Sequence, residues 1–205
     1  MSEAKAELHS GVKWSMEFDP STGGYIPRIV VSSPDGESAF DDNALIMIDW
    51  VHYKVHEGDT YHITTYTGAV ADNGSMSILL STTGTLKEMH LVGEVACGGD
   101  SEIQFYVGVT GSNYGTPIPS YNLNGMSSNV AELEAFQNPT ITVLNPIVYH
   151  TYSPGGTKNG AGGGSFSRNT EHILRPGMYY YLIVYNRGGG AKPMSIALQW
   201  YEEDQ

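Results

Sequence analysis

Apolar and polar residues alternate along this chain in short runs, and Gly, Pro and Asn punctuate the gaps between them. The densest such region is residues 44–67, ALIMIDWVHYKVHEGDTYHITTYT, with two runs flanking His56-Glu57-Gly58-Asp59. Val, Ile, Thr, Tyr and Trp fill both runs, and these side chains suit a pleated, half-buried surface. In the first run Leu45, Met47, Val51, Tyr53 and Val55 share one parity, interrupted by Asp49. Ile46, Ile48 and Trp50 share the other, which turns polar at His52, Lys54 and His56. A strand sends alternate side chains to opposite faces. The pattern predicts a central hairpin whose first strand is buried on both faces, then meets solvent on one face near its turn.

The same grammar continues. Further strands are expected over 76–82, 90–95, 103–110, 178–185 and 194–201, the last two on either side of Arg187-Gly188-Gly189-Gly190. Asp72-Asn73-Gly74-Ser75 is a turn signal, because Asn-Gly suits positive φ. Residues 140–152 read as a strand pair or one bent strand broken at Pro146, and residues 130–136 as a helical turn or a strand. The glycine-rich run 153–164 reads as a flexible loop. Nearer the start, residues 25–32 form a strand that Pro27 confines to an edge, and Trp14, Met16 and Phe18 share one parity. Many short strands without a sustained helix predict an all-β fold: a two-sheet antiparallel β-sandwich, jelly-roll-like, with an N-terminal arm. The arm and first strand are expected over 1–40, the sandwich over 41–205. No 20–50-residue period repeats, which argues against a solenoid or propeller.

Composition narrows the partners. A hydrophobic share of 40% with 14 Tyr, 3 Trp and 5 Phe supplies a core, while only 16% of residues are charged. The net charge of −12 argues against nucleic acid and against anionic membranes, since both need clustered Lys and Arg. Cys97 is the single cysteine, so no disulfide forms within the chain, as fits a reducing compartment. The first residues lack a basic stretch followed by an apolar one, and no run approaches the ~18 apolar residues of a spanning helix. The expected product is soluble and made in the cytoplasm.

Candidate chemistry is sparse. His52 and His56 are four apart, a chelating spacing on a helix, but on the predicted strand they lie ~13 Å apart. One ion with ~2 Å ligand bonds cannot bridge that gap, so surface or loop histidines are the better reading. His56-Glu57 with His62 does not complete a zinc-protease spacing, and Gly58 would break the helix it needs. There is no G-x-S-x-G elbow, no phosphate loop and no full dinucleotide fingerprint. No catalytic residue, metal or cofactor is expected. Tyrosine is the unusual resource: in Tyr179-Tyr180-Tyr181 the middle ring must face away from its neighbours, and such rings suit cores, subunit interfaces and sugar platforms alike.

The order of motifs resembles the head decoration, or capsid-associated, proteins of tailed bacteriophages. The resemblance runs through Ile48-Asp49 and His52, His56-Glu57-Gly58-Asp59-Thr60-Tyr61 and Ser77-Ile78-Leu79-Leu80. It continues through Gly115-Thr116-Pro117-Ile118, Tyr121-Asn122-Leu123-Asn124, Leu174-Arg175-Pro176-Gly177-Met178-Tyr179-Tyr180, and residues 196–202 with Trp200. It covers about residues 45–203 and departs at Gly125, where an Arg is usual. It implies a non-enzymatic virion protein, a cement on the capsid surface that contacts the major capsid protein as a homotrimer. Trp14, Phe18 and Tyr25 in the arm are the candidate partner contacts. The rival reading is a carbohydrate-binding β-sandwich, including a head-fibre or tail component, in which exposed Tyr and Trp stack on sugar rings. Hydrolysis ranks third, for it would need two carboxylates meeting in a cleft.

Overall fold

A computed structural model describes residues 6–7, 12–19, 24–31, 40–41, 44–45, 50–155, 162–166 and 171–204. The chain divides into two compact units, 1–49 and 50–205. In the first, β1 (Ala6–Glu7), β2 (Val12–Asp19) and β3 (Gly24–Val31) form an antiparallel sheet in that order. Pro27 sits on β3 at the sheet edge, as its missing N–H requires. β4 (Phe40–Asp41) and β5 (Ala44–Leu45) make a separate short pair.

The second unit begins with α1 (Trp50–Glu57) and continues through β6 (Thr60–Val70), β7 (Ser75–Ser81), β8 (Glu88–Cys97) and β9 (Ser101–Val107). An inserted segment carries β10 (Thr110–Asn113), β11 (Thr116–Ile118), β12 (Tyr121–Asn122), β13 (Glu134–Gln137) and β14 (Thr140–Val143). Then come β15 (Ile147–Ser153), β16 (Gly162–Phe166), β17 (His172–Leu174), β18 (Tyr179–Asn186) and β19 (Lys192–Glu203).

Two antiparallel sheets hold these strands apart from β10 and β14, which pair with each other in a ribbon of their own. The first runs β12-β6-β19-β8-β16, with β17 also on β8; the second runs β11-β13-β7-β18-β9-β15. The pairing is nested: β6 with β19, β7 with β18, β8 with β16 and β17, β9 with β15. A long hairpin rolled so that its first half pairs with its second half across two sheets is a jelly roll. The sandwich expected from the sequence is present.

The core lies between the sheets. Ile63, Leu91, Val95, Ile196, Leu198 and Trp200 come from the first sheet, and Ile78, Leu80, Ile103, Phe105, Tyr180, Leu182 and Val184 from the second. Each such side chain stabilises the fold by roughly 1.5–3 kcal/mol when fully buried. The strand-to-strand corners 70–74 and 186–190 both cross from one sheet to the other, and one buried side chain ties them. Asn186 Nδ2 donates to the carbonyls of Val70 (2.8 Å), Ala71 (3.1 Å) and Gly190 (2.6 Å), while its Oδ1 accepts from Gly188 N (2.9 Å). Asn73 takes the left-handed backbone expected of its turn, φ 60°.

Two sequence expectations change and one open alternative is settled. The first arm of the predicted central hairpin is α1 over 50–57; residues 46–49 lie outside the described residues. Gly58, read as a hairpin turn, closes that helix instead: φ is 80°, Gly58 N bonds Val55 O (3.1 Å) and Asp59 N bonds Lys54 O (3.1 Å). That pair is the Schellman motif. A glycine with positive φ ends a helix or turns a hairpin equally well, so the local signal was ambiguous. Second, the glycine-rich run does not stay a loop, because Gly162-Gly163-Gly164 enter β16 and pair with Cys97, Ala96 and Val95. An edge strand needs only its backbone for this. The alternative left open at 130–136 resolves to strand over its last three residues, which enter β13 on β7.

Candidate functional site

One end of the sandwich is built around α1. Eight residues are too few to hold a helix in isolation, and strand-favouring Val and Tyr do not help. Side chains four and three apart help to close it: Tyr53 Oη donates to Glu57 Oε1 (2.6 Å) and Lys54 Nζ to Glu57 Oε2 (3.0 Å). Its last carbonyls are taken by an asparagine loop. Asn124 Nδ2 donates to His56 O (3.0 Å), Asn129 Nδ2 to Glu57 O (3.4 Å), and Asn122 Nδ2 to Gly58 O (2.7 Å). The Asn-x-Asn stretch that carried part of the family resemblance thus serves here as a side-chain cap on a helix. Gly58 is packed against the same loop; a Cβ there would meet Ser127 Oγ at 2.2 Å.

Among the described residues, four of the six histidines are on this helix or on the outer face of the first sheet. His52 and His56 stand exposed on α1, with Nε2 atoms 3.0 Å apart. The strand-based separation that argued against their meeting is therefore corrected, since the helix places them side by side. His62 lies against Tyr121, ring centroids 5.8 Å apart. His90 stacks on Tyr201 at 4.4 Å, with Nδ1 3.1 Å from Glu171 and Nε2 3.5 Å from Glu203. Val51 of α1 closes a cavity of about 50 Å³ with His90, Val92, Gln199 and Tyr201. Small-molecule pockets run to several hundred Å³, so this one fits waters.

Inside the same end, Glu202 is 2% exposed. Its Oε1 accepts from Glu132 N (2.9 Å), Leu133 N (3.2 Å) and Trp200 Nε1 (3.1 Å). Its Oε2 has no hydrogen-bond partner among the described residues; Lys87 Nζ lies 3.9 Å away and also pairs with Glu132 at 3.0 Å. Burial pushes the Glu202 carboxyl up, whereas the Thr85 hydroxyl and then Lys87 hold Glu132 below its ordinary value. Burial, followed by the charges of Glu202, Asp59 and Glu132, pushes the Tyr61 phenol up to about 12. Two carboxyls shifted in opposite directions are the raw material of acid–base catalysis. Here the raised one points at backbone N–H groups and an indole, so what it does is pin residues 132–133 to β19.

Exposed apolar side chains occur in the asparagine loop, at Leu123 and Met126, and in a denser run elsewhere. Val143, Leu144, Ile147 and Val148, around the Pro146 break between β14 and β15, are each 43–55% exposed. Asn145 Nδ2 ties this bend to Gly108 O. On the opposite kind of surface, the outer face of the first sheet, Tyr66 is 68% and Tyr121 59% exposed. The sequence reads 140–152 as a strand pair or one bent strand broken at Pro146, and the pair is what forms, as β14 and β15; the exposure of the bend between them was not anticipated. The proline break was the available signal. Of the arm residues, Trp14 and Phe18 fall on β2 and Tyr25 on β3, with Phe18 paired to Tyr25; their side chains lie outside the described residues.

Among the described residues no group of three or more His, Cys, Asp or Glu side chains is placed to hold a metal ion, and no helix is long and apolar enough to cross a membrane. No family model and no curated protein matches the chain. Among solved structures, a mutant VP2 protein of infectious bursal disease virus, in derived T=1 particles, aligns over 95% of this chain and 50% of that one. The identity is 13% and the TM-score 0.16, so this likeness carries no argument.

Proposed function

We propose that this chain is a structural protein of a phage virion that decorates or cements the assembled capsid through protein–protein contacts, as a homotrimer on the major capsid protein and without catalysis. The observation that carries this reading is the exposed apolar bend at Val143, Leu144, Ile147 and Val148, between β14 and β15. Contiguous exposed aliphatic side chains on a chain of net charge −12 suit a protein interface better than free solvent. The family resemblance in the sequence supports the virion setting. A jelly roll alone does not, because unrelated functions share the fold.

A second reading has its own observation. Tyr66 and Tyr121 stand exposed on the outer face of the first sheet, with the small side chains Thr64, Ser195 and Ala197 between or beside them. A flat platform with exposed aromatic rings suits a sugar chain.

The first experiment is the mass of the purified protein in solution across a concentration range, followed by binding to undecorated heads. A stable trimer that binds heads, with binding abolished by paired Leu144→Asp and Val148→Asp substitutions, supports decoration. A monomer at every concentration that ignores heads but binds glycans, and loses them on Tyr121→Ala, replaces it with the second reading.

A further inference from the structure

We propose that His52 and His56 form a two-imidazole site for an exchangeable divalent transition ion, with Cu²⁺ or Ni²⁺ favoured over Zn²⁺. This goes beyond the structural role and does not depend on it. The geometry carries the inference. The two Nε2 atoms are 3.0 Å apart, the rings meet edge to face with centroids 4.7 Å apart, and both residues are exposed. With metal–nitrogen bonds of ~2.05 Å, a 3.0 Å separation subtends about 94° at a shared ion. That is the angle between neighbouring positions of a square-planar or octahedral ion, whereas a tetrahedral ion needs about 109°, so tetragonal Cu²⁺ and Ni²⁺ fit best.

Helical spacing brings two imidazoles onto one face, the same physical reason that a zinc-protease helix carries its histidines four apart. Preorganisation comes from the far end of the helix. The Gly58 closure and the Asn124 bond to the His56 carbonyl fix the backbone that carries the second ring. Without an ion, one ring donates its Nε2–H to the other; when an ion binds, that ring passes through solvent to its Nδ1–H tautomer, so that both Nε2 lone pairs face the ion and no net proton is lost. Since no third protein ligand is at hand among the described residues, water fills the remaining positions. The ion therefore exchanges rather than holding the fold together.

The test is calorimetric titration of the full-length protein with CuCl₂ and separately NiCl₂, comparing wild type with His52→Gln, His56→Gln and the double variant. Gln keeps helix propensity and both side chains are exposed, so unchanged circular dichroism and melting will certify the fold. Wild type should bind one equivalent that each single variant binds about tenfold or more weakly, because the second imidazole no longer acts at raised effective concentration. The double variant should be no weaker than the singles by more than a small factor. Equal binding by wild type and the double variant, or no wild-type binding up to millimolar ion, overturns the proposal.

Discussion

The two sheets of the jelly roll treat their outer faces differently. On the first, β6 alternates: Tyr61, Ile63 and Thr65 are buried, while His62, Thr64 and Tyr66 are half-buried or exposed. β19 follows with Met194, Ile196, Leu198 and Trp200 inward and Ser195, Ala197 and Gln199 outward. On the second sheet both faces are covered. Tyr180, Leu182 and Val184 point into the sandwich, yet Tyr181 and Ile183 on the other face are each only 7% exposed. They cluster with Leu79, Tyr106 and Val109, flanked by Phe136, Ile141, Tyr179 and Tyr185. The cover is the insertion between β9 and β15. Leaving the sheet from β9, next to its β15 edge, and adding β11 and β13 at the other edge, it carries the β10–β14 ribbon, whose Ile141 packs on this cluster. A sheet with one wet face alternates in sequence; a sheet with two dry faces does not. The contrast between HITTYT and YYYLIV is the visible trace of an added layer.

Matched truncations test that contrast most severely. Leu182→Ala on the inner face should cost about 2–5 kcal/mol, and Ile183→Ala on the outer face should approach the same range. Urea denaturation measures both, and a loss below about 1 kcal/mol for Ile183→Ala would mean that the insertion does not act as a core layer. Next in size is Asn186→Ala, expected to cost about 2–3 kcal/mol, because three carbonyls, the buried one of Val70 among them, lose their donor where both sheets turn. An effect within 0.5 kcal/mol (the ordinary range of a surface change, ~0.5) would show that the two corners are not coupled through this side chain.

Smaller effects sharpen the comparison at the α1 end. Gly58→Ala must hold φ near 80° and displace Ser127, so a loss of about 1–3 kcal/mol is expected in the same assay. Glu202 predicts a pH dependence. Its folded carboxyl is raised by burial, so its contribution to stability is present below the ordinary carboxylate range and is lost as pH rises through the raised value. Wild type should therefore gain on Glu202→Gln as pH falls from 7 towards 4.5; chemical denaturation at each pH reads the difference, and a flat difference excludes the shift. The smallest effect belongs to Tyr66→Ala, on the wet face of the first sheet, at about 0.5 kcal/mol or less. A larger loss there would mean that this face, too, is covered.

Local pattern was enough to place β7, β8, β9, β18 and β19 within a few residues, to confine Pro27 to an edge, and to send Tyr180 away from Tyr179 and Tyr181. These follow from period-two alternation and from proline's missing donor, which neighbours in the chain dictate. Where the chain needed partners remote in sequence, local pattern failed. Residues 50–57 carry strand-like composition but become a helix because Asn122, Asn124 and Asn129 arrive to cap it. With that change His52 and His56 go from opposite ends of a strand segment to 3.0 Å apart. Likewise, strands that flank a tight loop, β6 with β7 and β18 with β19, pair not with each other but across the nested roll. A turn residue records that the chain bends and says nothing of which sheet receives it; that choice belongs to long-range pairing and burial, and only the tertiary structure holds it.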